Sequence, residues 1–426
     1  MTLLAQLEQQ VRDYLSNGEN EKVAFLCEQI LAIDPDHSGA LDILASRALK
    51  LKKFDAAEQY LKILTRLFPE HTVYLTKLGY VQEQQGKLQT ALSTYLECHK
   101  RNPKNLTIYL YLGYLYILLG NETKAAEVFS LGEDIDGRIL KAYANPQAGK
   151  IIRHRSKIAE QTLHKVLTEL HLKTISSMAK AEELQRIYNA VWPQIDIRDF
   201  DYAHQNQRPH LFYIPDLLSK PFFSISELSW IKGVEACFND IKREVVEHLD
   251  IESDGTPYLP DTIPLYGKEW KKIVGKPNWT SIHLYKQGAP KQDIIAKFPV
   301  IMDALKLVPL TEINGYPSEI FISVLKPKTR IPPHYGVSNN TLTVHLPLIV
   351  PEGCGLRVGG QTFVPEEGKI IAFDDSYDHE AWNNSSQNRV VLIFEVWHPD
   401  LSERERKAVS ATFEARLAWL ANRTVN

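Results

Sequence analysis

The spacing of apolar residues changes along the chain, from a helical period in the first part to alternation in the second. In the first part apolar residues recur every three or four positions, which is typical of amphipathic helices. In the second half short runs alternate between apolar and polar residues and end at turn residues, which predicts β-strands. The clearest strand predictions are residues 319–325, 342–348, 369–373 and 390–397.

The helical part repeats itself every 34 residues. A period of 34, with proline closing each unit and small residues where two helices cross, is typical of a helix-turn-helix solenoid. These features resemble tetratricopeptide repeats over about residues 2–136, roughly four units, the first being weakest because Val11 and Val23 replace small residues. The repeated positions are Pro35, Pro69 and Pro103, then Ala57, Ala91 and Ala125, and Gly18, Lys52, Gly86 and Gly120.

A stack of such units buries a continuous core and leaves a concave groove. The groove predicts docking of a protein or peptide, and the substrate itself is one candidate. The alternative is that the repeats serve to stabilise or dimerise the chain. Nothing in the sequence identifies the partner.

Between the two parts lies a basic segment, with six Lys or Arg residues and no acid between residues 138 and 157. We interpret this run as a solvated helix face, which is the usual role of such a charge pattern. Apolar residues then follow at helical spacing. The sequence therefore predicts a helical connector over residues 138–205.

Several short strands in series predict a double-stranded β-helix, the cupin or jelly-roll architecture. Alternation places Thr343 and His345 on one face of their strand and Leu342, Val344 and Leu346 on the other. The fold class is α+β multidomain: an α-solenoid over residues 1–137, the connector over 138–205, the β-helix domain over 206–401 and a C-terminal helix over 402–426.

The C-terminal helix begins with a capping-box pattern, Ser402 followed by Glu405, and continues with an apolar stripe. We expect the stripe to pack against the β-domain. Dimerisation through the same stripe is the alternative.

Composition and charge exclude several classes of protein. A net charge of −3 offers no electrostatic basis for binding nucleic acid. The most apolar stretch, residues 106–119, is too short to span a bilayer and predicts a buried helix. Glu8 and Asp13 fall where a secretory signal would be apolar, and the four cysteines lie far apart, so we expect a cytoplasmic protein without structural zinc or disulfides.

Two histidines and one arginine in the β-part suggest metal chemistry. His334 and His379 lie in alternating segments, and Arg389 follows ten residues after the second. Two neutral imidazoles can hold Fe(II) while a 2-oxo acid adds two oxygens, although a glycine, Gly336, stands where a facial triad would have its acid. Arg389 offers a planar fork for the far carboxylate of 2-oxoglutarate, and Ser323 a hydroxyl beside it. Taken singly, each histidine is more often a hydrogen-bonded core or surface residue, and such an arginine more often an edge or ion-pair residue.

Taken together, the motifs around these residues resemble the aspartyl/asparaginyl β-hydroxylase family. The resemblance covers about residues 225–402. Its most specific motifs, in fixed order, are PHYG at residues 333–336, EEGKIIAFDDSYDHEAW at 366–382 and EVWHPDL at 395–401. WTS at 279–281, LYKQG at 284–288 and KFP at 297–299 add to it.

The resemblance implies an Fe(II)- and 2-oxoglutarate-dependent dioxygenase. It assigns His334 and His379 as iron ligands, Arg389 and Ser323 as contacts of the C5 carboxylate of 2-oxoglutarate, and His345 as a residue near its C1 carboxylate. Gly336 matches a glycine of the family, so the missing acid is expected.

Two departures from the family bear on the substrate. Thr343 replaces an arginine of the animal members that helps to hold the cosubstrate, and we consider Arg330 or Arg357 as replacements. A cysteine pair of those members is also absent, which fits a reducing compartment. Near His379, Asp375 and Asp378 are candidates to hold the imidazoles, or else to bond to backbone amides.

We therefore predict hydroxylation of an Asp- or Asn-type β-carbon in a protein or peptide. The alternatives are hydroxylation of a small molecule or a lipid acyl chain, and a non-catalytic scaffold whose β-domain is inactive. Halide incorporation, with chloride beside Gly336, is a further and less favoured alternative.

Overall fold

A computed structural model describes residues 2–178, 183–194, 200–250, 253–261 and 267–426. It divides into two units, residues 1–168 with 419–426, and residues 169–418. Residues 179–182 and 195–199 of the predicted connector, and 251–252 and 262–266 of the predicted β-domain, lie outside the described residues.

The first unit is a stack of antiparallel helix pairs, as the 34-residue period predicts. Each pair has a first helix of 13 or 14 residues and a second of 14. The predicted solenoid is confirmed. The helices are α1 (Leu3–Ser16), α2 (Asn20–Ile33), α3 (Ser38–Lys50), α4 (Phe54–Leu67), α5 (Thr72–Gln84), α6 (Leu88–Arg101), α7 (Leu106–Leu118) and α8 (Glu122–Ile135), followed by the long α9 (Lys150–Ser176).

The turn inside each helix pair has one residue in the left-handed region. Gly18, Gly86 and Gly120 have φ of 72°, 75° and 78°, and Lys52 has φ of 56° at the same place in the second pair. Glycine adopts this conformation without steric cost, which explains why it recurs there.

Where the two helices of a pair cross, a small residue on the first helix faces a large residue on the second. A Cβ on Gly79 would lie 2.3 Å from the ring of Tyr95, and one on Gly113 would lie 2.2 Å from the ring of Phe129. In the second pair the equivalent positions carry Ala45 and Leu61, which share one buried cluster. The repeat therefore conserves the summed volume at the crossing, because interiors are close-packed.

The basic run does not form a solvated face throughout, so that interpretation needs correction. Arg155 of α9 is buried, and its guanidinium lies 2.6 Å from a carboxylate oxygen of Glu83. The same guanidinium lies 4.0 Å from the ring centre of Tyr111 and 4.6 Å from that of Tyr114. Glu83 carries the charge that compensates the buried guanidinium. Sequence periodicity could not predict this contact because Glu83 is distant in sequence.

The apolar helix α7 is buried, as predicted, with Ile108, Leu112 and Leu115 fully enclosed. Among the described residues, no helix combines the length and the apolarity that a bilayer crossing requires.

The second unit is built on antiparallel sheets. Its strands are β1 (Phe222–Phe223), β2 (Thr256–Pro257), β3 (Trp279–Lys286), β4 (Ala289–Pro290), β5 (Glu312–Ile313), β6 (Tyr316–Pro317), β7 (Glu319–Leu325), β8 (Thr329–His334), β9 (Thr341–Ile349), β10 (Cys354–Val358), β11 (Gln361–Phe363), β12 (Ile371–Phe373), β13 (His379–Asn383) and β14 (Arg389–Trp397). The larger sheet has the order β1-β12-β9-β14-β7-β3-β2 with β4 beside β3, the smaller has the order β11-β10-β13-β8, and β5 pairs with β6. The predicted antiparallel β-helix domain is confirmed.

Several helices of the second unit pack on the larger sheet. Strand residues Leu342, Val344 and Leu346 pack into one buried cluster with residues of these helices, such as Ile241 and Ile301. The opposite faces of the same strands, including Thr343 and His345, are thereby turned to the space between the two sheets. The helices of this unit are α10 (Gln185–Tyr188), α11 (Ile231–Ala236), α12 (Phe238–His248), α13 (Gln292–Ile295), α14 (Pro299–Leu305) and the first part of α15 (Glu403–Asn422). Those with buried residues in the cluster are α11, α12 and α14.

The start of α15 has the predicted capping box. The Ser402 backbone amide donates to the Glu405 carboxylate at 2.9 Å, and the Glu405 amide donates to Ser402 Oγ at 3.3 Å. The helix packs on the β-domain, as expected, where Ser410 Oγ donates to the Glu312 carbonyl at 2.9 Å. Residues 419–426 group with the first unit, and Arg423, the residue after the helix, donates to Asp134 at 2.8 Å.

Candidate functional site

The two candidate metal ligands meet across the smaller sheet. His334 ends β8 and His379 begins β13, and the two residues are direct cross-strand partners. Their ring centres lie 4.0 Å apart with the ring planes inclined by 50°. Antiparallel pairing brings opposite side chains within contact distance, so two histidines 45 positions apart in sequence become neighbours.

Each imidazole is oriented by a backbone carbonyl two residues earlier. Nδ1 of His334 bonds to the Pro332 carbonyl at 2.8 Å, and Nδ1 of His379 bonds to the Tyr377 carbonyl at 2.9 Å. A carbonyl accepts, so each Nδ1 carries the proton and each Nε2 keeps a lone pair for a metal. The expectation that Asp375 or Asp378 holds an imidazole is therefore wrong for these Nδ1 atoms.

Burial keeps both imidazoles neutral. It lowers the pKa of His334 to about 3, with the neighbouring His379 adding to the effect, and lowers the pKa of His379 to about 4. Neutral imidazole is the form that binds metals. Over the described part of the chain there is no group of three or more His, Cys, Asp or Glu side chains arranged for a metal. The fit to a metal rests on His334 and His379 alone, whose neutral rings each keep Nε2 as a possible ligand atom.

Arg389 lies at the first position of β14 and is 4% exposed. Within the described residues, its Nε and Nη2 have no hydrogen-bond partner. Burial lowers the pKa of this guanidinium to about 10, so the charge is retained at neutral pH. A buried cation with unsatisfied donors is costly unless an anion completes it.

Ser323 and His345 lie on the strands that flank β14. Ser323 faces Val391 of β14 and accepts a hydrogen bond from the Trp279 indole at 3.1 Å, which leaves its own proton to donate elsewhere. His345 faces Ile393 from the other side, and burial together with the nearby Arg389 and His379 lowers its pKa well below the ordinary value. Its Nδ1 is buried and, among the described residues, lacks a partner. Strand pairing therefore places Ser323 and His345 on either side of the strand that begins with Arg389, and His345 lies close enough to Arg389 and His379 for both to affect its pKa.

The glycine that replaces the triad acid lies against a carboxylate from another loop. A Cβ on Gly336 would lie 2.2 Å from Oδ1 of Asp375. Thr343 donates to Oδ2 of the same carboxylate at 3.0 Å. Burial raises the pKa of Asp375 to about 6, while Thr343 and His334 oppose that rise.

The two arginines considered as replacements at Thr343 both pair elsewhere. Arg330 and Arg357 donate to opposite oxygens of Glu380, the Arg357 contact measuring 2.6 Å. Arg357 also lies 3.2 Å from Asp378, and the Arg330 side chain is 59% exposed. These ion pairs give no support to the suggestion that either arginine takes over the missing role.

Two residues near the site were missed by the sequence reasoning. Trp279 was noted as part of a motif, but its hydrogen bond to Ser323 was not expected. Gln207 lies buried behind the loop that carries His379. No local pattern identifies such a residue, since the two loop residues to which its amide nitrogen donates, Asp374 and Ser376, are more than 160 positions away.

Comparison with known families agrees with the motifs. Residues 235–399 match the family model described as Aspartyl/Asparaginyl beta-hydroxylase. Residues 44–98 match a model of the tetratricopeptide repeat.

Known relatives are similar over different parts of the chain. A human aspartyl/asparaginyl beta-hydroxylase is 26% identical over 339 residues, which is 78% of this chain and 43% of that protein. The human aspartate beta-hydroxylase domain-containing protein 2 is 31% identical over 49% of this chain and 55% of its own length. An ornithine lipid ester-linked acyl 2-hydroxylase of Rhizobium tropici is 30% identical over 42% of this chain and 61% of its own.

The chain thus spans less than half of the length of the human aspartyl/asparaginyl beta-hydroxylase that it matches. Within that span, the resemblance inferred from the motifs is confirmed: tetratricopeptide repeats precede a domain that matches the aspartyl/asparaginyl β-hydroxylase family.

Proposed function

We propose that the protein is an Fe(II)- and 2-oxoglutarate-dependent dioxygenase that hydroxylates an Asp- or Asn-type β-carbon in a protein or peptide. The observation that carries the proposal is the buried Arg389, whose Nε and Nη2 lack partners among the described residues. A dicarboxylate cosubstrate would satisfy both donors with its far carboxylate, since a guanidinium binds a carboxylate in a bidentate manner.

The histidines contribute preformed ligands. The Pro332 and Tyr377 carbonyls fix the ring orientation of His334 and His379 before any metal arrives. Because burial already keeps both rings neutral, no proton need leave them when a metal binds. With two protein ligands, more coordination positions are left for cosubstrate and dioxygen than a complete triad would leave.

Bound iron and 2-oxoglutarate would supply oxidation of a C–H bond by dioxygen, with succinate and carbon dioxide as coproducts. The residues of this chain orient and enclose that chemistry. Arg389 and the hydroxyl of Ser323 would hold the C5 carboxylate, and Trp279 fixes the Ser323 hydroxyl by donating to its oxygen. His345, neutral because it is buried beside Arg389, is available to the C1 end.

Asp375 is suited to hold a water or a proton near His334. Its Oδ2 accepts from Thr343, while Oδ1 is buried and has no partner among the described residues. With its pKa raised to about 6 by burial, this carboxyl can accept a hydrogen bond from a bound water near neutral pH.

The substrate class rests on relatives and on the repeats. Two relatives carry names that specify aspartyl/asparaginyl or aspartate β-hydroxylation. The repeats would hold a protein substrate close to the β-domain and raise its effective concentration. A cytoplasmic location stays a prediction.

The first test measures ligand binding and cosubstrate turnover. Fe(II) and 2-oxoglutarate together should raise the melting temperature of the full chain and yield succinate in the absence of any substrate. His334→Ala should abolish both effects, whereas His248→Ala, an exposed histidine of the same unit, should leave them unchanged. Succinate formation by His334→Ala at the wild-type rate would show that the site is assigned wrongly.

A second candidate is hydroxylation of a lipid acyl chain, favoured by the similarity to the acyl 2-hydroxylase. Lysate proteins and extracted lipids, each incubated with wild type or His379→Ala, distinguish the two. The proposal expects peptides that gain the mass of one oxygen atom with wild type alone. The same gain confined to acyl chains would favour the second candidate.

A third possibility, considered from the sequence, is a scaffold with an inactive β-domain. It requires that neither Fe(II) nor 2-oxoglutarate change the melting temperature. The thermal measurement on the wild-type chain therefore decides this point before any substrate is known.

A further inference from the structure

One extended segment before the matched family region contacts the loops of both candidate metal ligands. We define residues 206–212 as the strap. On one side the Asp378 amide donates to the Asn206 carbonyl at 2.8 Å, and the Arg208 amide donates to the Ser376 carbonyl at 2.8 Å. Both bonds hold the loop that leads into His379. The strap thus pairs with that loop as a short antiparallel bridge.

On its other side the strap holds the loop that follows His334. The His210 amide donates to the Gly336 carbonyl at 3.2 Å. The Leu211 and Phe212 amides both donate to the Val337 carbonyl, at 2.8 Å and 3.0 Å. One continuous piece of backbone therefore spans the two loops whose histidines must meet.

Gln207 anchors the strap through its side chain. It is 1% exposed, and its Nε2 donates to Oδ2 of Asp374 at 3.0 Å and to Oγ of Ser376 at 2.9 Å. Its Oε1 accepts from Ser219 Oγ at 2.9 Å. Buried polar groups are costly when unsatisfied, so this amide ties the strap to the loop at one relative position.

The held loop contains the group that orients His379. The Tyr377 carbonyl, which accepts from Nδ1 of His379, lies between Ser376 and Asp378, and the strap bonds to both of these residues. A shift of the loop would move that carbonyl and rotate the imidazole. Partners of metal ligands typically alter metal affinity by about 10–100-fold when they are lost.

From these contacts we propose that the strap sets the spacing of the two histidine loops and that Gln207 is its positioning residue. This inference rests on the proposed function, because it assigns the strap a role toward the metal. The strap lies outside residues 235–399, so the matched family segment does not supply it. Gln207 acts through the loop and is not a catalytic residue.

The test compares metal binding by the wild-type chain and by Gln207→Leu. Co(II), which absorbs visible light when bound by imidazoles, serves as the probe in place of iron. Gln207→Leu should raise the Co(II) dissociation constant by about 10–100-fold. Saturating Fe(II) should restore most of the succinate formation, because among the described residues the Gln207 side chain bonds to Asp374, Ser376 and Ser219 and not to Arg389 or Ser323.

Three further variants separate positioning from loss of stability. Glu244 is also a buried polar side chain of the second unit, and its carboxylate accepts from the Val300 and Ile301 amides at 2.7 Å and 3.0 Å. Glu244→Ala should lower the melting temperature without weakening Co(II) binding. Gln207→Glu should weaken binding by placing a second acid against Asp374, and adding Asp374→Asn should restore it to within about threefold by reversing the donor and acceptor.

The measured Co(II) affinities either support or overturn the positioning role of Gln207. A Co(II) affinity of Gln207→Leu within twofold of wild type, or equal weakening by Glu244→Ala, overturns the positioning role and leaves the proposed function intact. Failure of the wild-type chain to bind Co(II) at all overturns both.

Discussion

The Cβ that Gly336 lacks would lie 2.2 Å from Oδ1 and 2.3 Å from Cγ of Asp375. The Asp375 carboxylate can therefore occupy its position only because residue 336 has no side chain. The carboxylate occupies the space beside the glycine and is also held by Thr343. A chloride ligand beside Gly336 is disfavoured for the same reason, since the Asp375 carboxylate already fills that space and also carries negative charge.

We predict that Gly336→Ala will weaken metal binding. The new methyl group must displace Asp375, whose backbone carbonyl also accepts from the Gly336 amide at 2.6 Å. Overpacking of this kind costs about 1–3 kcal/mol of stability. Co(II) affinity should fall by about tenfold or more, as expected when a neighbour of a metal ligand moves. Gly336→Asp, which places an acid at this position, should also fall short of the wild-type Co(II) affinity.

The control for this variant is Gly233→Ala. No heavy atom lies within 4 Å of a Cβ at Gly233, which is in helix α11. That substitution should leave metal binding unchanged and stability equal or higher, because alanine favours helix. Normal metal affinity of Gly336→Ala would contradict the steric explanation.

We predict that Arg389→Met will stabilise the protein without ligands and destroy its response to 2-oxoglutarate. The guanidinium is buried, and two of its nitrogens lack partners among the described residues. Replacing such a cation by an apolar side chain should raise the free energy of unfolding by about 1–3 kcal/mol. Urea unfolding with and without 2-oxoglutarate measures both effects. A less stable Arg389→Met protein would show that the guanidinium is satisfied without a ligand.

We predict energetic coupling between Gly113 and Phe129. Gly113→Ala places a methyl group 2.2 Å from the Phe129 ring and should cost about 1–3 kcal/mol. Combining it with Phe129→Leu recreates the Ala45 and Leu61 combination, which the second helix pair accommodates in its core. The double variant should then be more stable than the sum of the single effects by about 1 kcal/mol, as measured by urea unfolding. Strict additivity would contradict this.

We predict that Glu395→Gln will flatten the dependence of stability on pH. Burial, the nearby Glu319 and, to a lesser degree, Asp375 raise the pKa of this carboxyl from 4.5 to about 8. Between these values the folded state binds more protons than the unfolded state, so the contribution to stability is complete below about pH 4.5 and is lost as pH rises through about 8.

Urea midpoints from pH 5 to pH 8 measure this slope against Glu366→Gln, a change at an exposed glutamate. Asp374, whose pKa burial also raises to about 8, contributes equally to all three proteins and cancels in the comparison. Identical slopes for Glu395→Gln and wild type would contradict the prediction.

The sequence predicted the elements of the fold well because periodicity is a local property of the chain. The 34-residue spacing of glycine and proline led to helix pairs with left-handed turn residues at Gly18, Gly86 and Gly120. Alternation predicted the strand Glu319–Leu325 at the bounds observed. It also assigned the two faces of the strand that carries His345.

The sequence also identified the residue types that the proposed chemistry needs. His334, His379 and Arg389 were selected because imidazole and guanidinium suit a metal and a carboxylate. Their roles in this chain remain proposals. The contact between His334 and His379 was not contained in any local pattern.

The tertiary structure alone decided which distant residues meet. The register between β8 and β13 places His334 opposite His379. Tertiary packing brings Gln207 into hydrogen-bond contact with Asp374 and forms the ion pair between Arg155 and Glu83. The periodicity of apolar residues predicts which face of a helix or strand is buried, but it does not predict which other element packs against that face. Burial of a charge or an amide depends on that neighbour. For this reason the sequence by itself determined the elements and the candidate chemistry, and the packing determined the contacts that hold the site together.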